Sequence, residues 1–140
     1  MKKSLTIVLL VVLLISLCTP AYAAMPDESI LEPQYLYVRS TYLNLSIDPN
    51  TGIADCEVKC VPDSGYTVEI TCKLQRFTGN SWATQKTWRT TGLNYAEIIE
   101  NWAVYSGYTY RLDVIFRIRN AEGKQVEIFS ENYSCDYPKN

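Results

Sequence analysis

Apolar and polar side chains alternate along most of the chain after residue 34, and this pattern limits the chain to extended strands. The clearest example runs from Tyr110 to Arg119, where every second residue is apolar. A period of two places these apolar side chains on one face of a strand, whereas a helix needs a period near 3.6. The runs around Leu45, Cys56 and Ile70 have the same period. We therefore predict an all-β domain.

Short turn-forming segments separate these runs. They lie at Asp48 to Gly52, Pro62 to Gly65, Thr78 to Ser81 and Asn120 to Gly123, and they are rich in residues that favour tight turns. A single sheet would leave one apolar face in water, so two sheets packed face to face are expected. The spacing predicts an antiparallel β-sandwich of about seven strands.

Residues 95–104 fit two structures. Tyr95, Ile98 and Trp102 have the spacing of one helix face, and Asn94 precedes them as an N-cap. Read with a period of two, Ile98 and Trp102 instead share one face of a strand. Periodicity alone slightly favours a short helix.

The first 23 residues have the features of a cleavable secretory signal. Lys2 and Lys3 precede an apolar run at 5–17, and the small residues Ala21 and Ala23 define the cleavage position. The apolar run is shorter than the roughly 20 residues of a membrane span. We predict a signal peptide at 1–23, with an uncleaved N-terminal anchor as the alternative.

The expected mature chain begins at Ala24. Residues 24–34 contain prolines and acids with little periodicity, which predicts a flexible leader, and 35–140 form the β-sandwich domain. We expect a secreted protein, extracellular or associated with the cell envelope, without a stable membrane span. Loss of Lys2 and Lys3 takes the net charge from −2 to −4, which argues against nucleic acid as a partner.

Four cysteines remain after cleavage, and an even number in an exported chain predicts two disulfides. Cys56 and Cys60 lie four apart on one strand, about 13 Å between α-carbons, beyond the limit of about 7 Å for a disulfide. If their strand pairs with the next around Ser64, Cys56 opposes Cys72. We therefore favour Cys56–Cys72 with Cys60–Cys135. The alternatives are Cys56–Cys135 with Cys60–Cys72, or a zinc site, which the spacing supports poorly.

Several short motifs lie along the expected mature chain. They are Ala54-Asp55-Cys56, Leu74-Gln75-Arg76, Gly79-Asn80-Ser81 followed by Trp82, Trp88, and Ser106-Gly107-Tyr108-Thr109-Tyr110-Arg111. Through them the stretch from Tyr42 to Tyr133 resembles a family of short secreted proteins of Gram-positive bacteria whose domain has no assigned function. The resemblance implies an immunoglobulin-like or fibronectin-like β-sandwich, with a strand at 96–104. Cys60 and Cys135 are additions to the family's pattern, so the resemblance implies no pairing for them.

The same resemblance gives Tyr110 a structural role. It looks like the strand tyrosine that closes a corner in such sandwiches, with a buried ring and a hydroxyl bonded to nearby backbone.

Catalytic chemistry has little support in the sequence. The chain has no histidine, which excludes Ser-His-Asp and Cys-His nucleophile systems. Glu97 and Glu100 leave open an alternative, a small carboxylate-dependent extracellular hydrolase acting on glycans. Asp48, Asn50 and Asp55 match part of a calcium loop, although a β-turn explains their spacing. We predict no catalytic residue, no metal and no cofactor.

Aromatic and basic side chains provide the candidate binding residues. Trp82 and Trp88 have the same strand parity and would form one platform, while Arg111, Arg117 and Arg119 line one strand face. The alternatives are that the tryptophans fill the core and the arginines pair with acids on neighbouring strands. We predict a non-catalytic module that binds an extracellular protein or glycan.

Overall fold

The computed structural model describes residues 35–139, in which the chain forms seven strands and no helix. The signal peptide and leader predicted for 1–34 lie outside the described residues. The strands are β1 (Val38–Ile47), β2 (Ile53–Pro62), β3 (Thr67–Phe77), β4 (Trp82–Leu93), β5 (Ala96–Ala103), β6 (Tyr108–Arg119) and β7 (Gln125–Tyr137). Within these residues, no helix is long and apolar enough to cross a membrane.

The strands form two antiparallel sheets, which confirms the predicted β-sandwich. One sheet has three strands in the order β1-β2-β5, and the other has four in the order β4-β3-β6-β7. The alternating side chains of β2, β3 and β6 point into the space between the sheets. From Tyr110 to Ile118, each inward residue of β6 is at most 1% exposed. The remaining core residues include Leu45, Ala54, Cys56, Val58, Cys60, Val68, Ile70, Cys72, Leu74, Ala96 and Ile98.

The predicted pairing of β2 with β3 is wrong. Cys56 on β2 pairs in register with Leu45 on β1 and Glu100 on β5, whereas Cys72 on β3 pairs with Trp88 and Val114. The turn at 63–66 carries the chain from one sheet to the other. Each strand thereby keeps its apolar face inside, which a hairpin in one sheet would also allow, so the sequence pattern alone did not separate the two arrangements.

Residues 96–103 form a strand, as the family resemblance implies, and the helix favoured by periodicity is wrong. Among the described strands β5 pairs with β2 alone, and it buries Ala96 and Ile98 while Ile99 stays 64% exposed. Asn94 does not cap a helix. It adopts a φ of 65° in the turn before β5, and its Oδ1 accepts a hydrogen bond from the Gly65 N–H at 2.6 Å.

A close backbone approach explains the glycine at the end of β4. A Cβ at Gly92 would lie 1.9 Å from the carbonyl oxygen of Tyr95. Any larger residue there would force β4 and β5 apart, so the turn between the two sheets requires glycine at this position.

The buried tyrosine of β6 has the local bonds that the family resemblance implies. The Tyr110 side chain is 1% exposed, and its hydroxyl donates to the Tyr105 carbonyl at 2.9 Å. The same oxygen accepts from the Tyr105 N–H at 3.0 Å. These two bonds fasten the connection between β5 and β6 to the core.

The segment before β1 closes the side of the sandwich between β1 and β7. The Tyr35 hydroxyl donates to Glu131 at 2.8 Å, and its ring stacks on Phe129 with centroids 3.8 Å apart. The Glu127 carboxylate accepts from the backbone N–H groups of Leu36 and Tyr37, each at 3.0 Å. We call residues 35–37 the N-terminal strap.

Candidate functional site

The two tryptophans of β4 lie on opposite faces of the four-stranded sheet, so the predicted platform of Trp82 with Trp88 does not form. Opposite β3, the register shifts between Leu74, which pairs with Lys86, and Gln75, which pairs with Thr84. Gln85 is therefore an extra residue, a β-bulge that reverses the alternation of side chains. Trp88 points inward and packs against the core, whereas Trp82 points to the solvent side.

The solvent side of the four-stranded sheet, which we call the outer face, carries the most organised group of polar and aromatic side chains. The Arg111 guanidinium lies 4.2 Å from the centroid of the Trp82 ring, a cation–π contact. Arg111 Nε donates to Gln75 Oε1 at 2.9 Å, and Gln75 Nε2 donates to Thr84 at 3.2 Å. Phe77 packs against Trp82 with centroids 5.1 Å apart. We call these five residues the Trp82 cluster.

Three strands build the Trp82 cluster through their registers. Gln75 of β3 lies opposite both Arg111 of β6 and Thr84 of β4, and Phe77 lies opposite Trp82. Although Gln75 points to the outer face, it is only 8% exposed, because its neighbours cover it. The hydrogen bond to Gln75 and the contact with Trp82 therefore restrain the Arg111 side chain.

The other two candidate arginines are neutralised. Arg117 Nη1 lies 3.1 Å from Glu69 Oε1, and Arg119 Nη2 lies 3.6 Å from Glu69 Oε2. This confirms the predicted cross-strand pairing with acids for these two residues. Among residues 35–139, Arg111 forms no such ion pair. The basic stripe thus consists of one unneutralised arginine and two paired ones.

The four cysteines within residues 35–139, namely Cys56, Cys60, Cys72 and Cys135, are free thiols in the structure. Cys56 and Cys72 face the interior from opposite sheets. Burial raises the pKa of the Cys72 thiol to about 12, and the nearby Cys56 adds to the rise. Burial likewise raises the pKa of Cys56 to about 12. Inert, protonated thiols are expected at both positions at neutral pH.

Cys60 and Cys135 lie at different levels of the sandwich, so the predicted bond between them does not fit the registers. Cys60 pairs with Thr41, whose hydroxyl donates to Glu131 at 2.8 Å. Burial raises the pKa of Cys60 to about 12, and the carboxylates of Glu131 and Glu127 add to the rise. Cys135 is four residues further along β7 than Glu131, so their α-carbons are about 13 Å apart along the strand. Cys60 lies at the level of Glu131, and a disulfide needs α-carbons within about 7 Å.

The carboxylates considered for catalysis do not face each other. Glu97 and Glu100 border a shallow groove between β4 and β5. Because they are three positions apart on β5, their side chains leave opposite faces of that strand. A glycosidase needs two carboxylates that converge on one bond. Glu97 instead accepts a hydrogen bond from the Tyr95 hydroxyl at 2.5 Å.

Of the residues considered as calcium ligands, Asp48 and Asn50 lie in a turn, the alternative that the sequence favours. The Asp48 carboxylate accepts from the Asn50 N–H and the Thr51 hydroxyl, each at 2.9 Å. The Asn50 N–H bond is the main reason that the pKa of Asp48 lies below its usual value, and the Thr51 hydroxyl adds to the effect. Asp55 lies on β2, away from this turn. Within residues 35–139, no three His, Cys, Asp or Glu side chains are close enough to hold a metal ion.

Sequence inspection alone missed Gln75, Phe77 and Thr84 as members of the cluster. Gln75 and Phe77 have the outward parity on β3, but the sequence did not show which strand they would oppose. Only the register with β6 and the bulge at Gln85 bring them to Arg111. Comparison of the chain with protein-family models, curated proteins and solved structures gave no match.

Proposed function

We propose that this chain is a secreted, non-catalytic module that binds an extracellular or cell-surface partner through the Trp82 cluster. The observation that carries the proposal is Arg111, a guanidinium fixed on an aromatic ring of an open sheet face without a neutralising carboxylate among the described residues. Tryptophan and arginine dominate the binding energy at many interfaces. A side chain that is already fixed also loses little entropy on binding.

Further features support an immunoglobulin-like module. The strand order β1-β2-β5 facing β4-β3-β6-β7 matches the order expected of an immunoglobulin-type sandwich whose fourth strand has joined the second sheet, which supports this part of the proposal. Tyr110, near the start of β6, bonds back to Tyr105 as a corner tyrosine does. The absence of histidine from the chain supports a non-catalytic role.

Secretion is proposed from the features of residues 1–23. Recovery of the protein from culture medium with Ala24 as its N-terminus would support the proposal. A chain that keeps Met1 and stays with the cells would contradict it.

We also propose that export links Cys56 to Cys72 between the two sheets. Both thiols are buried and point into the core from opposite sheets, and Cys56 helps to raise the pKa of the Cys72 thiol, so the bond would form during folding by exchange with an external disulfide, which is reduced to two thiols. Thiol labelling of the secreted protein is expected to find Cys60 and Cys135 free. Four free thiols would contradict the bond.

Binding is tested by adsorption of the labelled mature chain to the envelope of the producing cell. Trp82→Ala is expected to reduce adsorption on the order of tenfold, because it removes an aromatic anchor. The matched control is Tyr42→Ala, which removes a 48% exposed ring of the three-stranded sheet that also lies under a cation, Lys59. Equal loss in both variants, or no loss in either, would contradict a site at the Trp82 cluster.

A further inference from the structure

The Arg111 guanidinium is prepared for an anion, and its own sheet does not supply one. Its Nε donates to Gln75, and its Cζ lies 4.2 Å from the centroid of the Trp82 ring. Among residues 35–139, Nη1 and Nη2 of Arg111 form no hydrogen bond or ion pair, and together they form the edge that a planar anion contacts. The carboxylates nearest by register are Asp113, which lies opposite Lys73, and Asp136, which accepts from Thr109 at 2.6 Å.

The surroundings of Arg111 are polar and flat. Ser134 of β7, Arg111, Gln75 and Thr84 of β4 lie in one row across all four strands of the sheet. Three strand spacings make this row about 14 Å long. It offers hydroxyl and amide groups, with an aromatic ring at one end and no aliphatic anchor. The hydroxyl groups of an extended sugar chain match this row of hydroxyl and amide groups, and a carboxylate on the sugar complements the charge of Arg111.

We propose that the Trp82 cluster binds a polysaccharide whose sugars carry carboxylates, with one carboxylate held by Arg111. This inference rests on the proposed function and names its ligand class. The guanidinium edge matches a carboxylate in two parallel hydrogen bonds, and the fixed side chain keeps this geometry before the ligand arrives. Sugar hydroxyls then exchange hydrogen bonds with Ser134 and Thr84.

The test measures binding of the secreted mature chain to three polysaccharides that contain uronate sugars, namely polygalacturonate, alginate and hyaluronate. We call these three the polyuronates. The controls are methyl-esterified polygalacturonate, which keeps the sugars without the charge, and polyglutamate, which keeps the carboxylates without the sugars. Binding to at least one polyuronate is expected, and it is expected to exceed binding to both controls by on the order of tenfold.

Three variants locate the site. Arg111→Gln removes the charge, and Arg111→Lys keeps the charge without the two-pronged edge. Both are expected to lose on the order of tenfold in polyuronate affinity. Arg119→Gln, which changes an arginine already paired with Glu69, is expected to stay within about twofold of the original chain. Thermal unfolding of each variant checks that the fold is retained.

Several results would overturn this inference. They are absence of binding to all three polyuronates, equal binding to polyglutamate, or an unchanged affinity in Arg111→Gln. Self-association of the protein that Arg111→Gln abolishes would make a second copy of the chain the occupant, which also overturns it. If Trp82→Ala still reduces adsorption to the cell envelope while no polyuronate binds, the ligand class is wrong and the proposed function stands.

Discussion

The two sides of the β3–β4 ladder contain the same residue types, but these residues have different roles on each side. On the inner side, Trp88 lies opposite Cys72 and packs against the core. On the outer side, Trp82 lies opposite Phe77 and supports Arg111. Both sides contain a tryptophan from the same strand, and one bulge separates them. The comparison teaches that parity along a strand identifies a shared face only where the ladder is regular.

Alkaline pH is expected to have the largest effect on the unfolding free energy, and it acts on the buried thiols of the inner side. The buried thiols of Cys56, Cys60 and Cys72 have their pKa raised from 9.0 to about 12. Between these values an unfolded thiol ionises while the folded one keeps its proton. The contribution of these thiols to the unfolding free energy is therefore constant below about pH 9 and falls as the pH rises towards 12.

Chemical unfolding between pH 8 and pH 11 measures this fall. With reductant present, Cys60→Ala is expected to make the fall shallower by about a third, because one of three thiols is gone. Without reductant, a Cys56–Cys72 bond would leave only Cys60 among the three to titrate. A fall of equal steepness in Cys60→Ala would show that the inner thiols do not control the pH dependence, and Tyr35→Phe controls for the raised pKa of the strap tyrosine.

Replacement of the inner tryptophan is expected to have the next largest effect. Trp88→Ala leaves a cavity beside Cys72 and should cost about 3 kcal/mol of unfolding free energy, near the low end for a large aromatic because its ring is only partly buried. Trp82→Ala, on the outer side, should cost less than about 1 kcal/mol. Urea unfolding measures both values, and equal losses would contradict the difference between the two sides.

A smaller effect is expected from the acid that neutralises the paired arginines. Glu69→Gln removes the partner of Arg117 and Arg119, whose side chains are partly exposed to screening solvent. We expect a loss of about 0.5–1 kcal/mol that shrinks at high salt. Glu122→Gln in the β6–β7 turn is the control, because the Glu122 carboxylate is in none of the ion pairs. A loss that does not depend on salt would contradict the electrostatic cause.

The smallest change in unfolding free energy is expected when the bulge residue is removed. Deletion of Gln85 makes the spacing between the two tryptophans odd, so a regular strand would keep them on opposite faces. The unfolding free energy should change by less than about 0.5 kcal/mol. With Trp88 and Trp102 replaced by phenylalanine, acrylamide quenching of Trp82 fluorescence should stay unchanged. If Trp82 became strongly protected from acrylamide after the deletion, the bulge would not determine the face of the sheet on which the Trp82 side chain lies.

Much of the fold follows from local pattern, and the rest depends on contacts that the sequence does not show. The alternation at Tyr110 to Ile118 and the turns at 48–52 and 120–123 predicted strands and hairpin turns that the structure contains. Periodicity favoured the wrong element, a helix, at residues 96–103. The reason is that β5 is an edge strand, which buries only its Ala96 end and leaves Ile99 in solvent. The resemblance, not the period, gave the right element there.

The candidate site was harder to predict because it depends on register. Arg111 and Trp82 were both candidate binding residues, but nothing in their spacing predicts that the Trp82 ring lies under the Arg111 side chain. Similarly, the inner position of Cys56 and Cys72 was clear from alternation, whereas their assignment to different sheets depends on the turn at 63–66. Long-range pairing between strands is the information that a single sequence lacks.

The N-terminal strap has a consequence for the order in which the chain is completed. Tyr35 is bound by Glu131, which is 96 residues later, and the last strand supplies both carboxylates of the contact. The edge between β1 and β7 therefore stays open until β7 is present. If the chain is exported as proposed, the residues of β7 must cross the membrane before that edge closes, so their translocation precedes this step of folding.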